Sequence, residues 1–491
     1  MTDFKYLHRH GPHTLWLDHR LTPEVRAMLC AMVSRMPVDG VTQRYSELVE
    51  AVATGFLDTV RGHLGDTSFL IQVNGRHGIP FSEKVEDGIT YIKVHFHSED
   101  SRWYPASEVQ VAPEVAEDRL CEYPLHPKVQ AFFDQFVRDY VHSTILELTG
   151  DPAVFVEGIS WWTAWLLFDS PLVCGQEAST RAMDFSKREV CFESGFHLEL
   201  MRLHDDWMEV YRAEVEAWKI EFAKKCLQCG GHGLNTPGGM IDGECYMCNG
   251  TGLHYPFMRD QQPFRPAFDR ARWALPGTIS TAVSMTSHVR ERARVIRDGL
   301  ALSRCSPTAR MLWEEIAGCY KAACPGIGEL GLREAVYSAE SDPPRHLKVT
   351  RCDDDVEDVA VLVLEPVDTY VLPYREPGTY ADPAYNEQRV RFDLGCSLAV
   401  ARDWHRHRTA YPWELELQWT EGVGIAIDHH YTPISKIGKE RTTDLLRRSS
   451  DLYEWFLNAG DKYSAMLCLP LGTRVALGSR SVGLRDLLYL L

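Results

Sequence analysis

Residues 271–278 read ARWALPGT, and residues 465–473 read AMLCLPLGT. Each stretch follows a long amphipathic pattern. Each precedes an arginine-bearing stretch with helical character, VRERARVIRDGL (289–300) in the first case and VGLRDLLYLL (482–491) in the second. Proline closes a helix and the glycine after it permits a tight turn. A short motif whose flanking elements recur in the same order marks a tandem duplication.

Working outward, Trp207, Tyr211, Val215, Trp218 and Phe222 recur at three- and four-residue steps. They share one face of a long helix whose stripe belongs to a core. Helical patterns follow at 266–273, 282–302 and 308–323, and again at 442–458 and 481–491. Upstream, residues 20–35 read as a helix with Thr22 as N-cap and Pro23 in the first turn. Residues 128–148 read as another. VFVEGISWWTAWLLF (154–168) is rich in β-branched and aromatic residues and reads as one or two buried strands. Strand-like pieces also lie at TYIKVHFH (90–97) and within 347–372. The polar segment SAESDPPRH (338–346) is the natural linker. The expected domains are therefore 1–343 and 344–491.

Composition narrows the function. Lys and Arg number 52 against 69 Asp and Glu, a net charge of −17. Such a chain repels a phosphate polymer, so no nucleic-acid partner is expected, while a few clustered arginines can still hold a small anion. No apolar run is long enough to span a bilayer, and the N-terminus lacks a signal pattern. A cytoplasmic protein is expected. Its 14 cysteines then read as metal ligands and buried thiols.

Four of them form C-x2-C-x15-C-x2-C: Cys226, Cys229, Cys245 and Cys248. This spacing sets four thiolates around one zinc, a closed structural site with no open position for catalysis. Each knuckle continues as C-x-x-C-x-G-x-G (CLQCGGHG, CYMCNGTG) and resembles half of the zinc module of J-domain chaperones. A zinc-ribbon-like insertion is expected over 224–256.

Two further stretches complement each other. Residues 169–182 read DSPLVCGQEASTRA, and residues 406–419 read RHRTAYPWELELQW. Both resemble the flavin-dependent thymidylate synthase signature R-H-R-x-x-S-x-N-E-x-S-x-R-Y, each degraded in the opposite half. The first keeps Glu177, Ser179 and Arg181, with Gln176 in place of asparagine and Asp169, Ser170 and Pro171 in place of the basic triplet. The second keeps Arg406, His407, Arg408 and Glu414. The resemblance covers roughly 130–325 and 380–491.

The resemblance implies an α+β fold: two thymidylate synthase complementing domains, with helices packed on an antiparallel sheet, and the zinc insertion in the first. It implies reductive C5-methylation of dUMP, with methylenetetrahydrofolate as carbon donor and NADPH reducing FAD. Gln176, Glu177, Ser179, Arg181 and Arg272 would bind substrate. Arg304, in RCSPTAR (304–310), would bind the pyrimidine. Arg181 and Arg304 are the catalytic candidates. Arg406, His407, Arg408, Arg485, His142 and Glu147 would bind FAD. A homodimer would equal the family's tetramer. The second copy stops at Leu491, before a pyrimidine-binding arginine of its own. The alternatives are a flavin-dependent methylase or hydroxymethylase of another pyrimidine nucleotide, a flavin protein without catalysis, and a zinc-bearing scaffold.

Overall fold

The computed structural model describes residues 6–18, 21, 23–34, 44–51, 53, 71–74, 76–95, 101–111, 152–169, 173–195, 197–225, 253–254, 265–287, 289–324, 349–352, 363–364, 389–405, 413–420 and 424–483. Among the described residues no helix is long and apolar enough to cross a membrane.

The first half opens with β1 (Leu7–Arg9), β2 (Thr14–Leu17) and α1 (Pro23–Met32). A separate small sheet follows: β3 (Ile71–Val73), β4 (Arg76–Glu86), β5 (Ile89–His95), β6 (Arg102–Pro105) and β7 (Gln110–Val111). It is an antiparallel meander whose last strand, after a 3-10 turn, returns to pair with the first. The main unit resumes with β8 (Val154–Ile159), α2 (Trp161–Phe168), β9 (Val173–Glu177) and the long α3 (Leu198–Phe222). β10 (Lys224–Lys225) and β11 (Leu253–His254) pair antiparallel and bring the ends of the cysteine-bearing insertion together. Then come α4 (Arg265–Ala271), β12 (Thr281–Ser287), α5 (Val289–Leu302) and α6 (Pro307–Ala323).

The second half contains β13 (Val349–Cys352), β14 (Val363–Leu364), β15 (Arg389–Ser397), α7 (Leu398–His405), β16 (Trp413–Thr420), β17 (Gly424–Ile425), α8 (Lys436–Asn458), α9 (Lys462–Leu467) and β18 (Arg474–Gly483). The fold is α+β with predominantly antiparallel sheets; the β13–β16 pair is parallel.

The two halves repeat one plan: strand, helix, strand, long helix, short helix, LP-GT motif, strand. The last strand is central in both, in the orders β8-β12-β9 and β15-β18-β16. Register repeats as well. Glu177 faces Val283 and Glu414 faces Gly478. At the same distance upstream, Glu157 faces Ala282 and Leu394 faces Leu477. Even the helix starts agree: Ser160 accepts from the Thr163 amide and Ser397 from the Val400 amide, a side-chain N-cap in each.

The repeated motifs pack on each other. The Leu471 and Gly472 amides donate to the carbonyls of Leu275 and Trp273 at 2.8 and 2.7 Å. A Cβ on Gly277 would lie 2.5 Å from the carbonyl oxygens of Leu467 and Leu469, and one on Gly472 would lie 2.8 Å from that of Trp273. Each glycine is therefore required by the backbone of the opposite copy. The long helices α3 and α8 run antiparallel, with Trp207 donating to Ser449 and Asp206 pairing with Arg441 and Arg448. One continuous apolar core runs through both halves.

Three local expectations change. WWTAWLLF is a helix: Ser160 caps it, and all eight residues are buried, so burial on every side overrides strand-like composition. Residues 282–287 form the central strand β12 and helix begins only at Val289. Residues 481–483 end strand β18, so the helical pattern over 481–491 starts as strand. The linker 338–346 and the helix expected at 128–148 lie outside the described residues.

Candidate functional site

The junction between the halves is built around α7, whose sequence LAVARDWH combines an apolar face with Arg402, Asp403 and His405. All three reach into the first half. Arg402 forms a buried ion pair with Glu177 Oε1, which also accepts from Thr281 Oγ1 at 3.3 Å. Their side chains are 5% and 4% exposed, so neither charge has bulk water to fall back on.

Asp403 joins the two arginines chosen from the sequence. Its Oδ2 accepts from Arg272 Nη1 at 2.7 Å and lies 3.8 Å from Arg181 Nη1. Asp269 Oδ1 lies 3.3 Å from Arg272 Nε and 3.5 Å from Arg181 Nε. Arg272 Nε also donates to Tyr431 Oη at 3.2 Å. Burial pulls the Arg272 pKa down. The adjacent Asp403, Tyr431 and Asp269 more than compensate and hold it above its ordinary value. The cluster is graded: Arg272 is enclosed at 6% exposure, while Arg181 at 48% opens to solvent.

His405 stacks on Trp165 with ring centroids 3.9 Å apart, and its Nε2 lies 3.5 Å from Asp169 Oδ1. Neither atom has a hydrogen-bond partner among the described residues. The same holds for the buried indole N–H groups of Trp161, Trp162 and Trp165. Arg294 donates to the Asp169 carbonyl at 2.7 Å, and burial raises the pKa of Asp298 beside it. Among the described residues, Trp165, His405 and Asp169 thus bring an indole N–H, an imidazole nitrogen and a carboxylate oxygen without hydrogen-bond partners to the α2–α7 junction.

Of the residues expected from sequence, Glu177, Arg181 and Arg272 therefore come together, and all three are engaged by α7. Gln176 is buried on β9, paired in register with Ser284. Ser179 is half-buried, and its amide donates to the Ser34 carbonyl. Arg304 stands apart from this group. It is exposed in the turn after α5, close to where Cys305 meets Gly460 and Thr308 meets Gly195. Arg272 instead lies beside Trp273, which packs on Trp207 well along α3. His142, Glu147, Arg406, His407, Arg408, Arg485 and the zinc ligands Cys226, Cys229, Cys245 and Cys248 lie outside the described residues.

Asp403, Asp269, Tyr431 and Arg402 were not singled out from sequence. One signal was available: three polar residues end a short helix directly before the basic triplet, an odd place for charge beside a core strand. A second cluster, Asp428, His429 and His430, brings three ligand atoms within 4.8 Å of one another. There the Arg474 guanidinium already lies against His429 Nδ1 and 3.7 Å from Asp428 Oδ1, so a cation occupies that position from within the chain.

No family model, curated protein or solved structure matches the chain.

Proposed function

We propose that the chain is a flavin-dependent thymidylate synthase-type enzyme made of two diverged copies, which transfers a one-carbon unit to C5 of dUMP. One observation carries this reading. Arg181 and Arg272, ninety-one positions apart, converge on one carboxylate oxygen at the junction with the second copy, beside the buried helix that leads into Arg406-His407-Arg408. Two guanidiniums around one oxygen provide the geometry that a phosphomonoester uses.

In this reading Arg181, Arg272 and Ser179 hold the nucleotide phosphate, and Gln176 and Glu177 line the same strand. Arg406, His407 and Arg408 would hold the FAD pyrophosphate, and Trp165, His405 and Asp169 at the α2–α7 junction would border its ring. FAD, once reduced by NADPH, supplies the reducing electrons, and methylenetetrahydrofolate supplies the carbon. The protein binds, orients and excludes water. Arg304, exposed in the turn after α5 and apart from Arg181 and Arg272, serves in this reading the equivalent site of a second chain in a homodimer. The four-thiolate zinc staples the insertion, whose base is the β10–β11 pair.

The test is product formation by purified protein with dUMP, methylenetetrahydrofolate and NADPH. A C5-methylated nucleotide supports the proposal; yellow protein without product refutes catalysis. One observation favours a second reading, a flavin-binding protein without catalysis: Glu177, Arg181 and Arg272 all have partners on α7. Colour without product, and dUMP binding without turnover, would select it.

A further inference from the structure

Helix α7 meets residues of the first half one by one: Arg402 on Glu177, Asp403 on Arg181 and Arg272, His405 on Asp169. Only Arg402 and Asp403 are adjacent, and the pattern uses both flanks of one short helix. We propose that α7 is a built-in gate of the anion site, in which the Asp403 carboxylate stands where a ligand phosphate binds and must withdraw before that phosphate can enter. This inference rests on the reading of Arg181 and Arg272 as phosphate ligands.

Geometry and charge both support it. A single oxygen, Asp403 Oδ2, lies between the two guanidiniums, as one phosphate oxygen would. Only the Arg272 contact has hydrogen-bond length; the contacts at 3.3, 3.5 and 3.8 Å are looser, and Asp269 Oδ1 accepts no hydrogen bond among the described residues. The arginines therefore retain donor capacity. Two cations facing two carboxylates are neutral as a set. A dianion added to that set meets as much negative charge as positive, whereas a dianion replacing Asp403 meets two cations and one carboxylate. The solvent side is open, since Arg181 and Asp269 are 48% and 41% exposed. Asp403 lies two residues before the end of α7, so its withdrawal moves the last turn of this helix and with it the contacts of Arg402 to Glu177 and of His405 to Trp165.

Calorimetric titration of the full chain with inorganic phosphate and, separately, dUMP tests the gate. Asp403→Asn should bind at least one of them tenfold or more tightly than wild type, a factor of ten being about 1.4 kcal/mol. Adding Arg181→Gln should cancel the gain. Equal affinity of wild type and Asp403→Asn would overturn the gate. A gain for phosphate and dUMP alike would uphold the gate and count against nucleotide specificity, which separates the two ideas. Because Asp403→Asn leaves Arg272 with less countercharge and can impair folding, amide exchange of wild type provides a second measurement. Exchange at 398–405 should rise on saturation with phosphate or dUMP. Unchanged exchange at saturation would overturn the gate.

Discussion

Replacing Glu177 by Gln removes one charge of a buried pair and leaves Arg402 facing a neutral amide. Two charges about 4 Å apart at an effective dielectric of roughly 20 interact by about 4 kcal/mol. Breaking a buried pair from one side is generally worth about 3–5 kcal/mol, because the remaining charge stays desolvated. The pair qualifies, since its side chains are 4% and 5% exposed, and Thr281 also gives up its bond to a charged acceptor. The expected loss is therefore about 3–5 kcal/mol. Glu177→Leu combined with Arg402→Met should recover most of it, because neither charge then needs a partner. Urea unfolding followed by both tryptophan fluorescence and circular dichroism would read Glu177→Gln and the cycle of wild type, Glu177→Leu, Arg402→Met and their combination. A single-variant loss under about 1 kcal/mol, the range of exposed pairs, would refute a sealed junction between the halves.

Gly277→Ala should cost about 1–3 kcal/mol or more, because its Cβ would meet the Leu467 and Leu469 carbonyls at 2.5 Å; an unchanged urea midpoint would contradict the packing of the repeats. His204, buried beside Thr278, has its pKa lowered by burial from 6.5 to about 4. Its folded pKa is below its unfolded value, so its contribution is intact above pH 6.5 and is lost as pH falls toward 4, by about 3 kcal/mol in all. A stability profile between those limits that His204→Gln does not flatten would refute this assignment. Metal analysis should find about one zinc per chain, and Cys226→Ser should lower it while leaving flavin content unchanged; metal-free wild-type protein of full stability would exclude the structural site.

Part of this architecture was legible in the sequence because the signals that encode it are local. The LP-GT repeats, the α3 stripe of Trp207, Tyr211 and Val215, and the helix beginning at Pro23 each follow from spacing or capping chemistry. The chain around Trp161 was not, because eight consecutive buried residues carry no periodicity, and aromatic composition alone favours strand. Strand β12 merged with the helix after it because only His288 separates Ser287 from Val289. The pairing of Glu177 and Gln176 with strand positions is set by long-range register. The role of Asp403 depends on contacts across more than one hundred residues, to Arg272 and Arg181, which no short-range pattern encodes.

The central claim is that two complementary copies make one flavin site per chain, with the nucleotide side from the first and the flavin side from the second. Flavin released from purified wild type, Arg406→Ala and Arg181→Ala protein, counted against chain mass by light scattering, tests it directly. The expected result is a homodimer with about two flavins, one per chain, following the closed two-fold symmetry most oligomers adopt. Arg406→Ala should lose flavin, whereas Arg181→Ala should keep it and lose dUMP binding. Four flavins per dimer, colourless wild-type protein, or flavin lost from Arg181→Ala but kept by Arg406→Ala would contradict the claim.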